Sequence, residues 1–286
     1  LGYGPSAGLP ALREAVAATH GVPADWVVTT QGTVQALFLL AFELCRPGDH
    51  VLMATPCFPT GLDALRACGA QIDPLPLRFD CGYRLEPNAI AERLTTDTRL
   101  VSIASPQNPS GVRITEREII ILLALMAERA PDALLFVDET YRCATYGDAP
   151  VAPSAAALSP RIMVGASVSK AHGAPGLRVG WMTVPDAALR ERMIVAKMNI
   201  AISGSVLDET LAAHLLSLGE GALASRRALL ARALASLSDW VEQRQALIEW
   251  VRPDAGALCC VRLRRNVFDH SAVTRFHESL PASELQ

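Results

Sequence analysis

Lysine is scarce in this chain: Lys170 and Lys197 stand against 24 arginines. Lys170 closes a Ser-x-Ser-Lys run with Ser167 and Ser169, just after an apolar stretch. An amine among small and apolar neighbours is either a solvated surface group or a candidate nucleophile. Arg178, eight residues on, carries a planar guanidinium that can fork onto a phosphate. Asp138 ends the apolar run 133–137. A carboxylate there needs a partner, because desolvating it alone is costly; the other reading is a cap on the segment that follows. Asn108 opens an Asn-Pro-x-Gly turn that ends at Gly111. Gly32, Thr33 and Val34 lie where a strand pattern passes into a helix pattern. That junction is a simple turn, or a set of free N–H groups at the positive end of a helix that favours phosphate. His172 could face a substrate, or pack or cap.

The elements that must position these groups follow a repeating order. Short β-rich runs at 26–30, 50–54, 99–104, 133–138, 161–165 and 177–182 alternate with helical patterns at 33–44, 58–68 and 115–129. Thr115 and Glu118 have the spacing of a capping box. Alternation of this kind predicts a doubly wound α/β fold with a mostly parallel sheet. Ligands of such sheets gather at the carboxyl ends of the strands, which is where the chemistry-bearing residues fall. After residue 185 the pattern turns helical over 186–197, 205–218 and 222–250, then sheet-like over 256–264. The expected organisation is a large α/β domain over 1–201. Residues 202–286 then hold connecting helices and part of a smaller α+β domain.

Composition narrows the classes. The chain has 286 residues, 26 basic and 29 acidic side chains and a net charge of −3; half of it is hydrophobic. Disorder requires the reverse balance. A nucleic-acid partner would call for excess positive charge. The longest apolar run, 119–127, is nine residues and too short for a bilayer, so no membrane partner is expected. The seven cysteines are odd in number and irregularly spaced. They read as free thiols of a reducing cytoplasm rather than a disulfide or zinc framework. The first residue is Leu1, and the opening reads as the interior of a longer protein.

Three motifs now stand in one order: Asn-Pro-x-Gly from Asn108, Asp-Glu-x-Tyr from Asp138 to Tyr141, and Ser-x-Ser-Lys with Arg178 eight residues later. From Tyr3 to about Trp181 the chain resembles the class I/II aminotransferases, pyridoxal-phosphate-dependent enzymes of fold type I. The resemblance implies a seven-stranded-type sheet sandwiched by helices and pyridoxal 5′-phosphate as cofactor. It implies transamination between an amino acid and a 2-oxo acid through a lysine-bound aldimine. Lys170 would form that Schiff base and then move the α-proton. Asp138 would keep the pyridine nitrogen protonated, making the ring an electron sink. Tyr141 and Asn108 would hydrogen-bond the phenolate oxygen, and Phe58 would stack on the ring. Gly32, Thr33, Val34, Ser167, Ser169 and Arg178 would hold the phosphate. Tyr3, followed five residues later by Gly8, would reach the phosphate of a neighbouring subunit, which implies a homodimer.

The arginine that grips a substrate carboxylate in this family lies near the C-terminus. Arg262, Arg264 and Arg265 come too early for that motif, and its expected place is beyond Gln286. Two further readings stay open. One is another reaction on the same site: a β/γ-eliminating lyase, a decarboxylase or a cyclising synthase. The other is an aminotransferase-like sensor domain of a transcription regulator. The motifs between Tyr3 and Trp181 build a cofactor site and do not separate these.

Overall fold

The computed structural model describes residues 2–264. Seven strands form one sheet: β1 (Val27–Thr30), β2 (His50–Thr55), β3 (Gln71–Pro76), β4 (Thr98–Ala104), β5 (Leu134–Asp138), β6 (Ile162–Ser167) and β7 (Gly180–Thr183). Their spatial order is β1-β7-β6-β5-β4-β2-β3. Neighbours from β3 through β6 pair in parallel. Only β7 is reversed, pairing antiparallel with both β6 and β1.

Strand residues alternate between two apolar layers, as a sheet covered on both faces requires. Leu52, Val101, Ile103, Leu135, Val137 and Val164 face one cluster. It is closed by α4 (Pro87–Arg93) and α5 (Glu116–Arg129). Val51, Met53, Leu100, Phe136 and Met163 face the other. That one is closed by α2 (Gly32–Leu44), α3 (Pro59–Ala67) and α6 (Ala187–Ala201). Each such side chain, fully buried, contributes roughly 1.5–3 kcal/mol. A third cluster packs α1 (Pro10–His20) and α7 (Val206–Ser217) on Val27, Ala166 and Trp181. The capping box at α5 is present: the Thr115 N–H donates to Glu118 Oε2 at 2.8 Å, and the Glu118 N–H donates to Thr115 Oγ1 at 3.3 Å.

Several elements differ from the sequence expectation. The helix expected over 222–250 is α8 (Glu220–Gln243), and Ile248–Trp250 is instead β8, paired antiparallel with β9 (Val261–Leu263). Ala246, Leu247 and Ile248 extend an apolar pattern that fits either element. The strand expected from 177 begins at Gly180, because Arg178 takes a left-handed φ of 53° that no strand continues. β3 was not expected at all. Its Pro74 and Pro76 lack an N–H to donate, and β3 tolerates them as the edge strand.

Lys197, the second lysine, is structural. Its Nζ donates to Ser6 O at 2.7 Å and to Thr29 Oγ1 at 3.1 Å. Thr29 Oγ1 donates in turn to Glu209 Oε1 at 2.6 Å, and Glu209 Oε2 accepts from the Leu9 N–H at 2.7 Å. Burial brings the Lys197 ammonium down to about 8. The network ties the segment after Tyr3 to β1, α6 and α7. No helix among the described residues is long and apolar enough to cross a membrane.

Candidate active site

The reversed strand explains where the site lies. β1, β2, β4, β5 and β6 run in one direction, so the loops after them open on one edge of the sheet. β7 runs against them, so its amino end reaches that same edge and brings Arg178 there. A cavity of about 210 Å³ opens at this edge. After β1 it takes Thr33 and Val34; after β2, Phe58; after β4, Asn108; at the end of β5 and after it, Asp138 and Tyr141; at the end of β6 and after it, Ser167, Ser169 and Lys170. Arg178 completes the lining. Ten of the expected site residues therefore meet at one cavity.

Gly32 sits behind this wall, not in it. Its φ is 71°, and a Cβ there would come within 2.5 Å of Arg178 Nη2. Glycine thus lets the start of α2 press directly on the guanidinium. Arg178 Nη1 also donates to Pro175 O at 3.1 Å. Helix N–H groups, serine hydroxyls and a guanidinium together form a donor set for a phosphate.

Asp138 accepts the Thr140 N–H at 2.9 Å through Oδ1. That is the Asx-type bond of the capping reading, and it coexists with a carboxylate facing the cavity. Burial pushes the Asp138 carboxyl above the usual carboxylate range; the Thr140 bonds and the Lys170 charge oppose this. A half-buried carboxylate in this condition fits a cationic partner in the cavity. The Lys170 side chain is exposed, and its Nζ lies 5.8 Å from the centroid of the Tyr141 ring. The donor set and Asp138 match the two charged ends of pyridoxal phosphate, its phosphate and its ring nitrogen.

Tyr3 is 84% exposed and lines no part of this cavity. His172, open to two readings from sequence, is a packed residue. It lines a separate cavity of about 20 Å³ with His20, Cys143 and Trp181. Burial, then the charges of Arg142 and Arg227, push its imidazole down to about 4. An unfolded histidine titrates near about 6.5. Between those values the unfolded chain binds the proton and the folded one does not, so stability falls as pH drops through this window. His20, also lowered chiefly by burial, acts in the same direction. The His172→Gln protein is therefore expected to lose less melting temperature than the parent between about pH 6.5 and 4.5. Parallel melting curves across that range would place the acid sensitivity elsewhere.

A second group went unread in the sequence. Glu139, beside Asp138, is buried and accepts from Ser154 Oγ at 2.8 Å and from the Ala155 N–H at 2.7 Å. Arg142 pairs with it at 2.8 Å. His20 Nε2 accepts from Trp181 Nε1 at 2.9 Å, which leaves Nδ1 to donate to Ser154 Oγ at 2.8 Å. Burial alone would raise the Glu139 carboxyl, but His20 and Arg142 hold it below its ordinary value. This network pins the turn that carries Asp138 and Tyr141. The only local sign of it was the adjacent acidic pair. Arg262 pairs with Glu249 and Asp80, and Arg264 with Glu249; Arg265 and all residues after it lie outside the described residues.

A family model described as aminotransferase class I and II matches residues 1–280. Capreomycidine synthase of Streptomyces vinaceus is 33% identical over 283 residues, covering 99% of this chain and 68% of that protein. Arginine–pyruvate transaminase of Pseudomonas aeruginosa is 33% identical over 192 residues, covering 65% of this chain and 48% of that protein. The chain thus spans about two thirds of the first relative and about half of the second. A crystal structure of a PLP-dependent aminotransferase from Streptococcus suis superposes with a TM-score of 0.84 at 25% identity, covering 92% of this chain and 69% of that one.

Proposed function

The chain belongs to the class I and II aminotransferase family, and from that premise we propose that it is the cofactor-holding part of a pyridoxal-phosphate-dependent aminotransferase. The reaction is transfer of an amino group between an amino acid and a 2-oxo acid. One observation carries the reading: an amine, a half-buried carboxylate and a guanidinium beside a helix start meet at one sheet edge.

When bound, pyridoxal phosphate supplies an aldehyde that captures amines and a ring that withdraws electrons from the substrate α-carbon. Lys170 Nζ would hold the cofactor covalently and would serve as the base that moves the proton of the substrate α-carbon. Asp138 would keep the proton on the ring nitrogen. Ser167, Ser169, Arg178 and the N–H groups of Gly32, Thr33 and Val34 would hold the phosphate. Tyr141 and Asn108 would donate to the phenolate oxygen, and Phe58 would cover the ring. Residues 1–201 form the cofactor domain in this reading, and 202–286 lead into the smaller one.

A homodimer fits the surface. Phe38 and Phe42 of α2 stack on each other with centroids 6.2 Å apart yet stay exposed. Val195 and Met198, in the last two turns of α6, and Ile202, just after it, are exposed as well. Such an apolar surface suits a second copy. It also suits a Tyr3 that serves the partner's phosphate and not its own.

A synthase reaction on the same site is the second reading. It is favoured by the match over 99% of this chain to a protein named as a synthase.

The test is a half-reaction screen. The protein mixed with pyridoxal phosphate is expected to turn yellow and sediment as a dimer. An amino acid substrate should then bleach the yellow band and yield its 2-oxo acid. A colourless mixture overturns the cofactor assignment. Release of ammonia or carbon dioxide, or a product without the 2-oxo acid, moves the assignment to a lyase, a decarboxylase or a synthase.

A further inference from the structure

Residues 253–258, between β8 and β9, bond to two loops of the cofactor edge at once. The N–H groups of Asp254 and Ala255 both donate to Gly111 O, at 2.9 and 3.2 Å. The Gly256 N–H donates to Ala144 O at 2.7 Å. In return, the Arg113 N–H donates to Asp254 Oδ2 at 2.9 Å. Gly111 has a left-handed φ of 71°, and a Cβ there would lie 2.5 Å from Leu258 O and 2.6 Å from Pro253 Cβ. The approach is therefore as close as glycine alone allows.

Each loop held in this way carries a cavity residue. Gly111 is three residues past Asn108, and Ala144 three past Tyr141. A Cβ on Gly256 would itself be in ordinary contact with the Tyr141 ring, 3.6 Å from Cδ1. Within its own loop, Asn108 follows Gln107, whose Nε2 donates to Tyr83 O and whose Oε1 accepts from Ser110 Oγ. Those bonds stiffen the loop but do not relate it to Tyr141. Residues 253–258 do.

We propose that residues 253–258 are a strap that sets Asn108 and Tyr141 relative to one another, with Asp254 as its positioning residue. The proposal rests on the function above, in which both side chains donate to one phenolate oxygen of the cofactor. Two donors converging on one atom must be placed together, because hydrogen bonds weaken steeply with misalignment. Their bonds favour the anionic oxygen and so lower the pH at which the lysine-bound chromophore loses its proton. Arg84 lies 3.9 Å from the Asp254 carboxylate, Tyr146 is within electrostatic reach of both Asp254 and Arg252, and Lys170 faces Tyr141.

Asp254→Ala and Asp254→Asn separate the possibilities. The Asp254 side chain is 42% exposed, so neither change opens the core. Asn keeps an oxygen to accept the Arg113 N–H; Ala does not. With pyridoxal phosphate bound, the pH midpoint of the visible band should rise by about half a unit or more in Asp254→Ala, and stay at the parent value in Asp254→Asn. Without cofactor, hydrogen exchange at the Arg113 amide should quicken about tenfold or more in Asp254→Ala only. An unmoved midpoint in Asp254→Ala overturns the proposal. So does an equal shift in Asp254→Asn, which would trace the effect to charge. A parent protein that shows no visible band sinks the cofactor assignment and the strap's purpose with it; exchange at Arg113 reports on the strap bond by itself.

Discussion

Lys170→Ala is expected to abolish turnover and covalent cofactor attachment while leaving the fold intact. The general base alone is worth about 10²–10⁴-fold in rate, and the same amine also serves as nucleophile. The loss should therefore reach about 10⁴-fold or more. No other amine can take over. Lys197 is buried and committed to Ser6 and Thr29, and Lys170 is the one lysine that lines the cavity among the described residues. The Lys170 side chain is exposed, so its removal costs little packing. Borohydride reduction followed by peptide mass spectrometry checks the attachment. The parent should carry the cofactor mass on the peptide of Lys170, and the variant should carry none. Parent-like rates in the variant would remove this lysine from the mechanism.

Asp138→Asn should separate chemistry from binding. An amide cannot hold a proton on the ring nitrogen as a carboxylate does, so the charge-assisted bond is lost. A fall in turnover of about 10²–10³-fold is expected, the scale on which a preorganised electrostatic partner acts. Cofactor affinity should fall much less, because the proposed grip on the phosphate is assigned to other residues, Gly32 and Arg178 among them. The cofactor-free variant carries a further signature. Burial raises the Asp138 carboxyl above its unfolded value. Ionising this group therefore costs folded-state stability as pH rises from the unfolded value through the folded one. Asn removes that cost, so the cofactor-free variant should melt no lower than the parent near neutral pH. Parent-like turnover would show that the ring nitrogen is managed by another group.

The α/β layering was legible because strands covered on both faces look apolar throughout, as 133–137 does. The edge where the site forms was legible because glycine, serine and asparagine turns followed those strands. Strand direction was not. Nothing near Arg178 indicates that β7 runs backwards, although this reversal alone brings the guanidinium to the other site residues. Glu139, His20, Ser154 and Trp181 were missed for a related reason. Each partner is distant in sequence, and a buried polar network has no period to read. The strap onto Gly111 belongs to the same class: its bonds are largely made by backbone groups, which every residue type supplies, proline lacking only the N–H. The individual roles of Asn108, Tyr141 and Phe58 came from the family resemblance rather than from spacing.

The reversed strand also has a consequence for assembly. β1 lies near the start of the described chain, but its sheet partner is β7, with Val27 opposite Thr183. The parallel strands between them can pair as they are made, whereas β1 must wait for a loop of most of the domain to close. Gly32 meets the Arg178 guanidinium across that same closure. A phosphate bound there, as proposed, would therefore be held only after that closure, and it would secure the seam between β1 and β7.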